Sequence, residues 1–110
     1  EDMLLSAKDI RNETDNTQTL NVPLEYKLYQ NYPNPFNPTT KINYSIPESG
    51  IVTIKIYDIL GKEIQTLVNE FKQAGSYDTE FYGKDLSSGV YFVRMESGDF
   101  RDIKRMVLIK

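Results

Sequence analysis

From Lys41 to Lys110, apolar residues recur at every second position, in short runs broken by glycine, proline, serine and aspartate. A period of two is that of a strand with one face buried, and no helical period of 3.6 competes with it. Ile42, Tyr44 and Ile46 alternate with Lys41, Asn43 and Ser45 until Pro47-Glu48-Ser49-Gly50 breaks the run. Val52, Ile54 and Ile56 form the next run, and Asp58-Ile59-Leu60-Gly61 reads as a four-residue hairpin loop before Glu63 to Val68. Further runs are Tyr77, Thr79 and Phe81, then Tyr91, Val93 and Met95, then Ile103 to Ile109, each preceded by a glycine-containing turn. Short strands so spaced and punctuated predict an antiparallel sandwich.

One segment departs from this pattern. Tyr32-Pro33-Asn34-Pro35-Phe36-Asn37-Pro38-Thr39-Thr40 holds three prolines in six residues. Each proline fixes φ, pushes its predecessor towards extended geometry and lacks a backbone donor. The segment is therefore predicted to lie outside the sheets as a rigid crossing, with Phe36 as its anchor to the core.

Composition shifts near residue 23: all five prolines lie between Pro23 and Pro47, all glycines lie from Gly50 onward, and no aromatic precedes Tyr26. Residues 1–22 carry the polar run Asn12 to Thr19 and read as a linker or peripheral segment. Leu4 to Ile10 fits either one helical turn or a strand, and the sequon at Asn12-Glu13-Thr14 carries little weight, since such triplets arise by chance. The N-terminus lacks the basic start and apolar run of a signal peptide. No stretch reaches the roughly 18 apolar residues that span a bilayer. A start at Glu1 suggests a processed product or the C-terminal part of a longer protein.

At 110 residues and 12.7 kDa the chain has room for one small domain and a tail. It contains neither histidine nor cysteine, which removes imidazole and thiolate metal ligands, Ser–His and Cys–His nucleophile pairs, and every disulfide. A formal charge of −3 gives no global basic field for a nucleic acid. No catalytic residue, cofactor or metal is expected. Paired carboxylates remain as an enzyme template. Asp78 and Glu80, however, alternate with apolar residues as the solvated side of a strand does. Gly83 and Gly89-Val90-Tyr91 form no phosphate cradle, because a strand follows them instead of a helix N-terminus.

Tyr44, Phe81, Tyr91 and Phe92 are assigned to the core, whereas Tyr26, Tyr29 and Tyr32, spaced by three, are the better candidates for an exposed aromatic face. Charge is unevenly spread: residues 101–110 carry +3 and the first 100 carry −6. A basic last strand blunts an edge against aggregation, and with a terminal carboxylate it also offers a readable tag.

Four stretches carry a family resemblance. Tyr32 to Thr40, Ile54-Lys55-Ile56-Tyr57-Asp58-Ile59-Leu60-Gly61-Lys62-Glu63, Leu86-Ser87-Ser88-Gly89-Val90-Tyr91-Phe92 and Lys104-Arg105-Met106-Val107-Leu108-Ile109-Lys110 together resemble the C-terminal sorting domain of the type IX secretion system of Bacteroidetes (Por secretion). The resemblance covers residues 23–110 and makes 1–22 the tail of an upstream cargo or its linker. It implies a signal that sends cargo from the periplasm across the outer membrane to the cell surface or medium. The implied partners are the translocon and a sortase-like cysteine peptidase, which cleaves the domain and can join cargo to anionic lipopolysaccharide.

The resemblance places recognition on Gly89, Tyr91, Lys104, Arg105 and Lys110, and a proline motif on Pro33, Asn34, Pro35, Phe36, Asn37 and Pro38. The family's best-known branch ends that motif in glycine where this chain has Pro38. Asn21, Val22 and Pro23 form the expected cleavage region, where extended backbone is open to a peptidase. The expected fold is an all-β, immunoglobulin-like antiparallel β-sandwich of about seven strands. The alternative function is an accessory module that holds carbohydrate or a surface through the Tyr26, Tyr29 and Tyr32 region.

Overall fold

A computed structural model describes residues 22–110, and Leu4 to Ile10, the sequon and Asn21 lie outside the described residues. Seven strands follow one another without a helix: β1 (Lys27–Leu28), β2 (Thr39–Ile46), β3 (Gly50–Tyr57), β4 (Glu63–Lys72), β5 (Gly75–Tyr82), β6 (Gly89–Ser97) and β7 (Phe100–Leu108). They form a three-stranded sheet in the order β1-β2-β5 and a four-stranded sheet in the order β4-β3-β6-β7, every pairing antiparallel. The chain thus changes sheets after β2, after β4 and again after β5. This is the immunoglobulin-like two-sheet arrangement, with the fourth strand seated beside the third.

The alternation read from the sequence places the core directly. Leu28, Ile42, Tyr44, Ile46 and Phe81 of the first sheet face Val52, Ile54, Ile56, Val93, Met95, Met106 and Leu108 of the second, all buried. Asp78 and Glu80 stand opposite Asn43 and Lys41 on the exposed outer face.

Three details differ from expectation. Phe92 does not join the core: Tyr91 and Phe92 are adjacent in β6, so a pleated strand must send them to opposite faces. Tyr91 is buried, and Phe92 lies half-buried on the outer face between Tyr57 and Arg105. The β3–β4 loop is five residues, Asp58 to Lys62, because the Asp58 carboxylate accepts the amides of both Leu60 and Lys62 at 2.9 Å and draws Lys62 into the turn. Finally, β7 begins at Phe100, since Gly98 takes φ +57 and closes a tight two-residue hairpin with Asp99.

Tyr44 is sealed between the sheets and stacks on Tyr77, centroids 5.6 Å apart. Burial holds its phenol above the ordinary 10.0, with the Lys72 charge opposing. The Lys72 ammonium is itself held above 10.5, chiefly by its hydrogen bond to Glu70. Because the folded phenol keeps its proton to higher pH than the unfolded one, its contribution is complete below pH 10 and is lost as pH climbs towards the folded value. Lys72, also raised, acts in the same direction. Urea denaturation should therefore show stability falling above pH 10, with a shallower fall in Tyr44→Phe; an equal slope in the variant would refute the assignment.

Candidate functional site

At one end of the sandwich the start of β2, the end of β5, the start of β6 and the end of β7 come together, as the pairs Thr39 with Tyr82 and Gly89 with Leu108 require. The proline segment closes this end. It does more than cross it: Phe36, which alone between Pro35 and Pro38 is buried, makes a parallel bridge with Leu108. Its amide donates to Val107 O at 2.9 Å and its carbonyl accepts from the Ile109 amide at 3.0 Å. The expectation that Tyr32 to Thr40 avoids the sheets thus needs correction at Phe36, which keeps both backbone groups while its proline neighbours lack the donor, and at the ends of the segment, where Tyr32 bridges Lys41 through two 2.9 Å backbone bonds and Thr39-Thr40 already belong to β2.

Side chains extend this pairing along the outer edge of β7. The Val107 amide donates to Asn34 Oδ1 at 2.9 Å, and Gln30 Nε2 donates to Arg105 O at 2.7 Å. Beneath them, buried Asn31 donates to Pro33 O at 3.1 Å and to Thr40 Oγ1 at 3.0 Å, while the Thr40 hydroxyl donates to Pro33 O at 2.8 Å. Pro33, unable to donate, is held wholly through its carbonyl. The peptide bonds preceding Pro33, Pro35 and Pro38 are cis.

Gly83 is the contact that sequence reading missed. A turn glycine by its surroundings in the text, it is buried, donates to Pro38 O at 2.8 Å, and a Cβ there would meet Leu108 Cδ2 at 3.2 Å and Phe36 Cε2 at 3.6 Å. Proline segment, β5 and β7 converge at this point because it has no side chain.

Gly89 and Tyr91 border the same end. The Tyr91 hydroxyl donates to Ser87 O at 2.7 Å, four residues upstream, while its ring reaches the core beside Met106. That is the tyrosine-corner arrangement of immunoglobulin-like sandwiches, in which a phenol near the start of the sixth strand ties down the loop before it. Gly89 takes φ +154, and a Cβ there would meet nothing within 4 Å, so backbone conformation and not space explains a glycine here.

Lys110 turns back onto the same loop. Its ammonium donates to Leu86 O at 2.9 Å and to Lys84 O, and its amide donates to Ser88 Oγ at 2.9 Å. The expected outward charge is therefore largely engaged by loop carbonyls.

Lys104 and Arg105 stand apart from this cluster, six and five residues back, or roughly 17–20 Å of strand. Lys104 shares the inward face of β7 with Met106 and lies 3.7 Å from Asp102, whereas Arg105 is exposed on the outer face opposite Phe92. An open apolar groove lined by Tyr57, Ile59, Phe92 and Ile103, with Arg94 beside it, runs along that outer face. The three early tyrosines form no common platform: Tyr26 stacks on Phe100 at 5.3 Å and packs against the core, and only Tyr29 and Tyr32 are exposed. Val22 and Leu24 are exposed and Pro23 is half-buried just before β1. Among the described residues, no group of three or more acidic side chains gathers as a metal site would.

Two substitutions test this construction. Phe36→Ala removes both the core anchor and the ring contact with Phe81, and should cost about 3–5 kcal/mol of unfolding free energy in urea. Tyr91→Phe keeps the ring and removes only the loop tie, and should cost about 1 kcal/mol. A loss in Tyr91→Phe as large as that in Phe36→Ala would mean that the hydroxyl has a larger role than a loop tie.

A family model described as the secretion system C-terminal sorting domain matches residues 30–110. No curated protein matches the chain. The matched stretch holds the whole proline segment, β2 to β7 and Lys110, so every group gathered at this end falls within it. With most of its length matched, the chain belongs to the C-terminal sorting-domain family of the type IX secretion system.

Proposed function

We propose that the closed end of the sandwich, made by residues 33–38, 83–91 and 106–110, is the surface through which the type IX machinery reads this domain. The general role follows from the family: a C-terminal sorting signal that interacts with the type IX system and takes attached cargo across the outer membrane to the cell surface or medium. The observation that carries the finer reading is convergence. Gly89, Tyr91, Lys110 and the proline motif are scattered over nearly 80 residues of sequence, yet meet at one end through hydrogen bonds between loop, strand and proline segment.

In this reading residues 1–22 join the domain to its cargo, and a sortase-like peptidase cuts at Asn21, Val22 or Pro23 before cargo passes to an anionic lipopolysaccharide. The exposure of Val22 and Leu24 supports that position, since a peptidase needs extended backbone that no ladder holds, and β1 begins only at Lys27. The domain is then a substrate and supplies no catalytic group. Lys104 and Arg105 act separately from this end and from each other, since adjacent positions on β7 present them on opposite faces.

A fluorescent reporter with a signal peptide, fused to residues 1–110 and expressed in a type IX host, should reach the medium or surface, and the reporter without the domain should remain periplasmic. Mass spectrometry of the released domain should find its new N-terminus between residues 22 and 24. Retention of both reporters by a host that exports its own cargo would overturn the reading of the surface, and a cut within β1 or beyond would overturn the assigned site.

A further inference from the structure

Resting on the reading of the closed end as the recognised surface, we propose that Lys110 is a positioning residue, a latch that fixes the loop from Lys84 to Ser88, and that the partner reads the loop and not the lysine charge. An ammonium has three donors and no acceptor. Two donors of Lys110 are spent on Leu86 O and Lys84 O, and the backbone amide of the same residue is spent on Ser88 Oγ, so one residue grips three points of a loop 22 to 26 positions away.

Apart from these bonds, the half-buried Leu86 side chain packed against the core is the loop's one apolar anchor. Leu86 N to Gly83 O, at 3.1 Å, is its internal backbone bond, and the Tyr91 hydroxyl takes Ser87 O. Asp85, Ser87 and Ser88 are exposed. A five-residue segment exposed at four of its positions, with one internal backbone bond, samples many conformations unless it is tied from outside, and a partner binding it would bear that ordering cost. Lys110 and Tyr91 remove the cost beforehand, one from each side. Partners suited to such a surface present hydrogen-bonding groups to the Ser87 hydroxyl, the Asp85 carboxylate and the fixed backbone, instead of a carboxylate aimed at Lys110.

Two substitutions separate latch from contact. Lys110→Met removes the ammonium and keeps the amide, whereas Ser88→Ala removes the acceptor of the amide and leaves the charge in place. In a latch, both should raise hydrogen exchange of the Leu86 amide, the loop amide bonded to Gly83 O, about tenfold or more, with exchange in β2, β3 and β6 unchanged as proof of folding. Both should lower reporter export in step with that loosening, and the double variant should lose less than the product of the two single losses, because both act on one loop.

Export blocked in Lys110→Met with unchanged loop exchange would overturn the latch in favour of direct contact by the charge. Normal export in Ser88→Ala despite a loosened loop would overturn it as well. Failure of the unmodified fusion to be exported counts against the sorting surface instead, and leaves the exchange measurement to decide whether Lys110 holds the loop.

Discussion

Phe36 pairing with the end of β7 is the contact on which the remainder of the structure depends. A sandwich of two open sheets has exposed edge strands, and β7 is one of them. Here the outer edge of β7 is occupied by the proline segment, through the backbone of Phe36 and the side chain of Asn34, and by Gln30 just before it. The same residue sends its ring inward against Phe81, so one position closes an edge and fills the core between the sheets. The prolines make this possible by limiting the segment's own conformations, which lowers the entropy lost when it docks.

The closed end is accordingly rigid by construction. Gly83 lets three backbones meet where a methyl group would press on Leu108, and the Asn31, Thr40 and Pro33 bonds satisfy the polar groups that this meeting buries. The opposite end of the sandwich is simpler, with the tight Gly98-Asp99 hairpin covered by Tyr26 on Phe100. Specific recognition benefits from the first kind of end, whose loops are ordered before a partner arrives.

The strands, the inward residues and the anchoring role of Phe36 were legible in the sequence because alternation and proline chemistry are local. Phe92 was misassigned by composition alone; its neighbour Tyr91 already held the inward position, and strict alternation would have placed it outside. Lys110 was legible as a basic terminus but not as a latch, since its partners lie more than 20 residues away and are backbone carbonyls, which leave no mark in a sequence. Gly83 was hidden for a similar reason: its role is set by Leu108, Phe36 and Pro38, which only folding brings to it. β1, two residues long, has no period to detect and exists through its pairing with β2.

The edge-closing bonds join residues 73 and 75 positions apart, Asn34 to Val107 and Gln30 to Arg105. Contacts of such separation form late, because the long intervening loop must first be closed. During synthesis the early partner emerges from the ribosome well before the late one exists. A chain interrupted anywhere before Arg105 therefore never assembles the closed end, however well its earlier strands pair. With the closed end as the proposed address, the signal is complete only on finished molecules, so the same geometry would also screen out interrupted chains.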